Sequence, residues 1–315
     1  MASPFPIDRR QSEANAVNDV NQIQSPKSQD GSQRFLFEDA DIRGELVRLG
    51  ESYLQTVATH AYPPAVQRLL GEFLAATVLL ASTIKYEGRL VLQARGDGEL
   101  SLVMAECSSE GEIRGIARYG QLPTADDFTA LMGAGTLAIT IDSRQGEPYQ
   151  GVVSLQGDSL ADCLAQYFAQ SEQLATEFFI AADDRQVAAL LLQQLPAGIE
   201  KDIDQRAEQW RRVQMLAQTL KEEEMLAVGN QRLLHRLYHQ ESLRLFEPRL
   251  IRYQCSCSRE RTAGALLSVG REQVEEILAE QGSVDMTCEF CGSEYKFSEA
   301  ELALLFNERG SGLTH

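Results

Sequence analysis

Hydrophobic and polar positions fall into four textures along the chain. Residues 1–34 are rich in Ser, Gln, Asn, Asp and Pro and keep no apolar period. Such a stretch buries too little surface to offset its ordering entropy, so it reads as a disordered extension. Order is expected from Phe35-Leu36-Phe37. Arg43 to Leu49 reads as a strand leading into a short helix. Pro63-Pro64 then opens a helix to about Ile84, with Val66, Leu69, Leu70, Phe73, Leu74, Val78, Ala81 and Ile84 at helical spacing. Leu90, Leu92 and Ala94 alternate, Gly96-Asp97-Gly98 turns, and Leu100, Leu102 and Met104 alternate again, a hairpin pattern. Glu110-Gly111 turns into a strand from Ile113 to Tyr119. A second hairpin pairs Leu137–Ile141 with Tyr149–Leu155 around a polar turn through Gly146. Asp158-Ser159 caps a helix through Leu160, Leu164, Tyr167 and Phe168. Val187 to Leu195 reads as a further helix stopped by Pro196.

Residues 199–247 are highly charged and almost without strand signals. They read as helices around 202–219, 221–228 and 230–246, broken at Gly229-Asn230. Their apolar stripes need a partner surface. Beyond Pro248 the predicted elements are a strand from Arg249 to Gln254, a helix within Ser268–Gly282 and a last helix opened by the capping box Ser298-Glu299-Ala300-Glu301. The fold class is therefore α+β. Its parts are an extension (1–34), a sheet-plus-helix core (35–197), a helical linker (198–248) and a small C-terminal α+β domain (249–315).

Charge and length narrow the function classes. The chain has 315 residues and a formal net charge of −17. No segment is basic, which weighs against phosphate-backbone binding. The richest apolar stretch, Phe73 to Ala81, is short and reads as a buried helix rather than a membrane span. The N-terminus lacks the basic start and apolar run of a secretory signal.

The candidate chemistry lies in cysteine. Four of the six cysteines, Cys255, Cys257, Cys288 and Cys291, fall in one short window, as C-S-C, thirty residues, then C-E-F-C. Two such knuckles converging supply the four thiolates of a tetrahedral zinc site. No histidine lies in the window, and Gly292 suits the turn after the second pair. Most sites of this kind only hold a fold together, and a structural knuckle is one reading. A switch is the other. A domain this small commonly needs a staple, and zinc supplies about 10–16 kcal/mol of apparent folding free energy. A Cys255–Cys257 bond would close a strained and hence reversible ring. Metal-held thiolates are already in the form that oxidants attack. Cys107, on a strand, and Cys163, on a helix, read as small buried hydrophobes.

Several stretches together resemble the heat-shock protein 33 family of redox-regulated chaperones. They are Cys255-Ser256-Cys257-Ser258-Arg259-Glu260-Arg261, Cys288-Glu289-Phe290-Cys291-Gly292, Leu245-Phe246-Glu247-Pro248-Arg249, Pro148-Tyr149-Gln150-Gly151-Val152-Val153, Gly157-Asp158-Ser159-Leu160 and Tyr167 to Leu174. The resemblance covers about residues 35–308. It implies a cytoplasmic, ATP-independent holdase rather than an enzyme. One Zn2+ sits on Cys255, Cys257, Cys288 and Cys291 in the reduced, inactive form. Oxidation pairs Cys255 with Cys257 and Cys288 with Cys291, the metal leaves, and the linker and C-terminal domain unfold. Exposed surface then binds unfolding client proteins, and the oxidised form is a homodimer. No nucleic-acid or membrane partner is implied.

Other motifs fail on chemistry. His235 and His239 have zinc-protease spacing, but Arg236 stands where that motif needs Glu. Gly133-Ala134-Gly135 precedes a strand, not a helix, and reads as a turn. Glu222-Glu223-Glu224 reads as a solvated helix start. A disulfide-exchange enzyme would need a βαβ context around Cys288 and Cys291, which is missing. The competing function is a constitutive zinc-ribbon adaptor for a macromolecular partner. Its nucleic-acid version is disfavoured by residues 250–315, with 6 Lys/Arg against 11 Asp/Glu.

Overall fold

The structure, a computed structural model, describes residues 30–144 and 147–310. The extension before Asp30 and the turn at Gly146 lie outside the described residues. The chain divides into two compact units, Met1–Gln254 and Cys255–His315.

In the first unit the elements run β1 (Gly31–Phe37), β2 (Ile42–Leu49), α1 (Glu51–Val57), α2 (Pro64–Thr83), β3 (Gly88–Gly96), β4 (Leu100–Ser108), β5 (Glu112–Tyr119), α3 (Phe128–Met132) and β6 (Gly135–Ser143). They continue through β7 (Tyr149–Ser154), α4 (Leu160–Tyr167), β8 (Thr176–Ala182), β9 (Val187–Gln194), α5 (Ile203–Ala217), α6 (Glu222–Ala227) and α7 (Asn230–Tyr238). The short strands β10 (Leu243–Leu245), β11 (Arg249–Leu250) and β12 (Arg252–Tyr253) close the unit. One sheet has the order β10-β1-β2-β9-β8, with β11 also on β1; the other has the order β12-β5-β4-β3-β6-β7.

The layers follow from side-chain alternation. Along β9, Val187, Ala189 and Leu191 join the core around α2, while Ala188, Leu190 and Leu192 join a second core with Val213, Met225, Leu233, Leu234, Leu237 and Tyr238 of α5–α7. The first sheet is thus covered on both faces. Helix α2 is buried along its length against this sheet and against the inward residues of β3–β6. It is long and apolar enough to cross a membrane, yet it is the core helix of this unit. A helix apolar on all sides belongs in such a position.

Four sequence expectations change. Val187–Gln194 is a strand, not a helix. Its Ala/Leu run lacks alternation because both faces are buried, and an uninterrupted apolar run does not distinguish strand from helix. Residues 31–34, assigned to the extension, belong to β1, and the Asp30 carboxylate accepts the amides of Gly50 (2.7 Å) and Ser52 (2.6 Å) at the start of α1. The third linker helix ends at Tyr238, and Leu243–Leu245 pairs with β1 instead. The strand expected over 249–254 is two short strands, which pair with β1 and β5 of the first unit.

Gly44 shows how tightly the helix-facing side is packed. It lies opposite Phe35 in the β1–β2 register. Phe35 is fully buried, with its ring 6.4 Å from that of Tyr238 on α7. A methyl group built on Gly44 overlaps the Phe35 ring. Gly44→Ala is expected to cost about 1–3 kcal/mol by overpacking, read as a lower denaturant midpoint. An unchanged midpoint would mean that the ring swings aside freely.

The second unit holds α8 (Arg259–Val269), α9 (Arg271–Gln281), the β13 (Val284–Thr287) and β14 (Glu294–Phe297) hairpin, and α10 (Glu299–Gly310). Among its described residues the buried apolar core is five: Leu266, Val274, Val284, Phe297 and Leu302. Of the expected capping box, the half made by the Glu301 carboxylate forms. The Ser298 amide donates to Glu301 Oε2 at 2.9 Å and the Ser298 hydroxyl donates to the same oxygen at 2.8 Å. Those bonds, with one from Arg259, hold the Glu301 carboxyl down at about 2.

Candidate metal centre

The first knuckle is the irregular segment between β12 and α8. Ser258 caps α8 by accepting the Arg261 amide at 3.2 Å, and Arg261 Nη1 donates back to the Ser256 carbonyl at 2.7 Å. These contacts fix the loop that carries Cys255 and Cys257. The second knuckle is the tight turn joining β13 to β14. The Cys288 amide donates to the Ser293 carbonyl and the Gly292 amide to the Cys288 carbonyl, both at 2.8 Å. Gly292 has φ 69°, a left-handed conformation that glycine adopts without a Cβ penalty.

Both turns aim their sulfurs at one point. The four Sγ atoms lie within 4.8 Å of one another, with Cys255–Cys288 at 3.7 Å and Cys257–Cys291 at 3.3 Å. Four Zn–S bonds of about 2.3 Å in a tetrahedron require sulfurs about 3.8 Å apart. The arrangement fits that metal, and all four cysteines are half-buried. Among the described residues no other group of three or more Cys, His, Asp or Glu side chains gathers in this way.

The surroundings treat the four sulfurs unequally. Burial pushes the Cys288 thiol up, against the amides of Cys291 and Phe290 that pull it down. Burial also pushes Cys291 up, but hydrogen bonds from the Ser293 hydroxyl and amide and from Cys257 and Cys255 prevail and hold it at about 6. The Tyr295 hydroxyl donates to Cys257 Sγ at 3.1 Å, and Cys291 Sγ lies 3.2 Å from Ser293 Oγ. Neither neighbour was read from the sequence. The strand that carries Tyr295 was itself not expected, because Glu294–Phe297 is only four residues long. Ser256 Oγ, between the two cysteines of the first knuckle, is buried without a hydrogen-bond partner. Cys107 and Cys163 are buried far along the chain in the core around α2, and burial raises Cys107 to about 12.

A second set of polar contacts anchors α5–α7 to the first sheet. The Asp41 carboxylate accepts the amides of Gly198 (2.9 Å) and Ile199 (3.0 Å) and Nη1 of Arg206 (2.6 Å). On β2, Arg48 donates from Nε to Asn230 Oδ1 at 2.8 Å and from Nη1 to the Leu226 carbonyl at 3.0 Å. Its Nη2 donates to the carbonyls of Met225 and Val228. The carbonyls at the end of α6 have no intrahelical donors, and this one guanidinium supplies them.

Comparison with known proteins decides the family. Residues 30–298 match the Hsp33 protein family. The chain belongs to the Hsp33 family. It is 53% identical to the 33 kDa chaperonin of Ectopseudomonas mendocina, over 90% of this chain and 97% of that one. It is 52% identical to the 33 kDa chaperonin of Azotobacter vinelandii, over 90% and 96%. The crystal structure of the 33 kDa chaperonin (heat shock protein 33 homolog) from Thermotoga maritima is 24% identical, with a TM-score of 0.77 over 89% of this chain and 99% of that one, and shares the fold. This Hsp33 chain is therefore a member of a chaperone family, which implies binding of unfolded clients. It carries a four-cysteine cluster compatible with redox-regulated zinc binding.

Proposed function

We propose that this Hsp33 chain is a cytoplasmic holdase, not an enzyme, held inactive while Cys255, Cys257, Cys288 and Cys291 bind one zinc ion. The observation that carries the reading is the convergence of all four sulfurs within 4.8 Å in a unit with five buried apolar residues. Bound zinc would keep the thiolates deprotonated and join the two knuckles. Oxidation removes two electrons from each pair of thiolates as an S–S bond forms. One hydrogen peroxide per pair accepts those electrons with two protons and leaves as two waters.

Pairing within each knuckle, Cys255 with Cys257 and Cys288 with Cys291, suits a release mechanism. Disulfides between knuckles would staple the unit as the metal does, whereas disulfides within knuckles leave the turns unconnected. Order lost at Cys255 is then passed along the chain to β12, β11 and β10, strands of only two or three residues. The linker over residues 198–248 follows. Lifting α5–α7 bares Phe35, Phe37, Ile42, Leu46, Leu190 and Leu192 on the sheet and the apolar stripes of the helices. Exposed patches of that kind bind unfolding chains. The net charge of −17 keeps a half-unfolded protein soluble. Two oxidised copies are taken to pair as a homodimer.

The test joins metal and activity. Zinc release, followed with a chromophoric chelator, and suppression of client aggregation under mild heat are measured before and after peroxide. Both are expected to rise together, with disulfides mapped by mass spectrometry inside each knuckle. An oxidised, zinc-free protein that suppressed no aggregation would sink the holdase reading and leave the constitutive adaptor.

A further inference from the structure

The four sulfurs differ in what donates to them, and one donor comes from far along the chain. Cys257, in the first knuckle, accepts the hydroxyl of Tyr295, 38 residues away on β14 at 3.1 Å. The hydroxyl beside Cys291, that of Ser293, is by contrast exposed and belongs to the same turn. Strand alternation aims Tyr295. Glu294 and Lys296 are exposed, while Tyr295 and Phe297 face inward. Tyr295 pairs with Met286 across the hairpin, and its half-buried ring packs on the core formed by Leu266, Val274, Val284, Phe297 and Leu302. The ring therefore rests on the apolar core while its hydroxyl reaches the sulfur of the other knuckle.

We propose that Tyr295 is a positioning residue of the metal centre, orienting the Cys257 thiolate and taking up part of its charge through one O–H···S bond. The inference rests on the zinc reading above. A tyrosine has two side-chain torsions, and here packing restrains the ring, so little freedom is lost when the bond forms. Hydrogen bonds to metal ligands commonly change affinity by about 10–100-fold when removed. Tyr295 thereby ties the first knuckle to the β13–β14 hairpin through the core as well as through the metal.

The test uses the full chain, reduced and metal-free, titrated with Zn2+ against a chromophoric competitor and separately with Co2+. Tyr295→Phe keeps the ring and removes only the hydroxyl. It is expected to bind zinc about tenfold more weakly. Its sulfur-to-cobalt charge-transfer band is expected at lower energy, because the sulfur lone pairs lose a donor. An affinity within twofold of wild type would overturn the proposal. So would a weaker affinity with an unmoved cobalt band, since the hydroxyl would then act on packing and not on sulfur. Wild-type protein that bound neither metal would overturn the zinc reading beneath it.

Discussion

Cys288→Ser is expected to abolish stable zinc binding and to loosen the C-terminal unit even without oxidant. Cys288 is the proposed ligand whose backbone closes the second knuckle, accepting the Gly292 amide and donating to the Ser293 carbonyl. Serine preserves that turn but replaces a soft, ionised sulfur with a hydroxyl that zinc does not hold. The remaining three thiols cannot close a structural site. Five buried apolar side chains among the described residues make a small core for a unit of this size. On the proposed reading, bound zinc would add roughly 10–16 kcal/mol to it. The expected result is fast amide exchange across β13, β14 and α8 in the reduced variant, with slow exchange retained in α2. A reduced, zinc-free variant whose hairpin exchanged as slowly as wild type would show that the core is sufficient and that the metal is not the staple.

The cysteine site was legible because its information is local: two short spacings, a glycine at the turn, and no competing histidine. Helix α2 and the hairpins of the second sheet were legible for a related reason, since each presents one face or an unbroken apolar surface at its own period. What the sequence did not reveal depends on distant parts of the chain. Strand β9 reads as a helix until α5–α7 are seen covering the face that carries Ala188, Leu190 and Leu192. Strands β10–β12 are too short to carry a period and exist because β1 and β5 offer edges. Asp41 and Arg48 looked like ordinary charges flanking or ending a strand. Their partners lie 157 and 182 residues away, beyond the reach of any local pattern. The charged texture of 199–247 did reveal that these helices need a surface; it could not show which polar groups hold them there.

On the proposed reading, Arg48→Ala is expected to free α6 and α7 in the reduced protein and so to give chaperone activity without oxidant. The reason is the number of acceptors that converge on one guanidinium. Arg48 donates to Leu226, Met225 and Val228 carbonyls and to Asn230 Oδ1, holding both the end of α6 and the start of α7. Burial pulls the Arg48 pKa down, and the four acceptors offset part of the cost of holding a guanidinium there. Alanine removes the donors and leaves partly buried carbonyls unsatisfied, a loss of about 2 kcal/mol. That raises the undocked fraction of these helices roughly thirtyfold. Lysine should not restore the contact, because a compact ammonium lacks the fork that spans several carbonyls. Hydrogen exchange over residues 222–238 should quicken while the metal stays bound, and thermal aggregation of a client should fall without peroxide. Faster exchange with no gain in aggregation suppression would place the client-binding surface elsewhere than beneath α6 and α7. Unchanged exchange would show that the buried apolar side chains Met225, Leu233, Leu234, Leu237 and Tyr238 hold the layer alone.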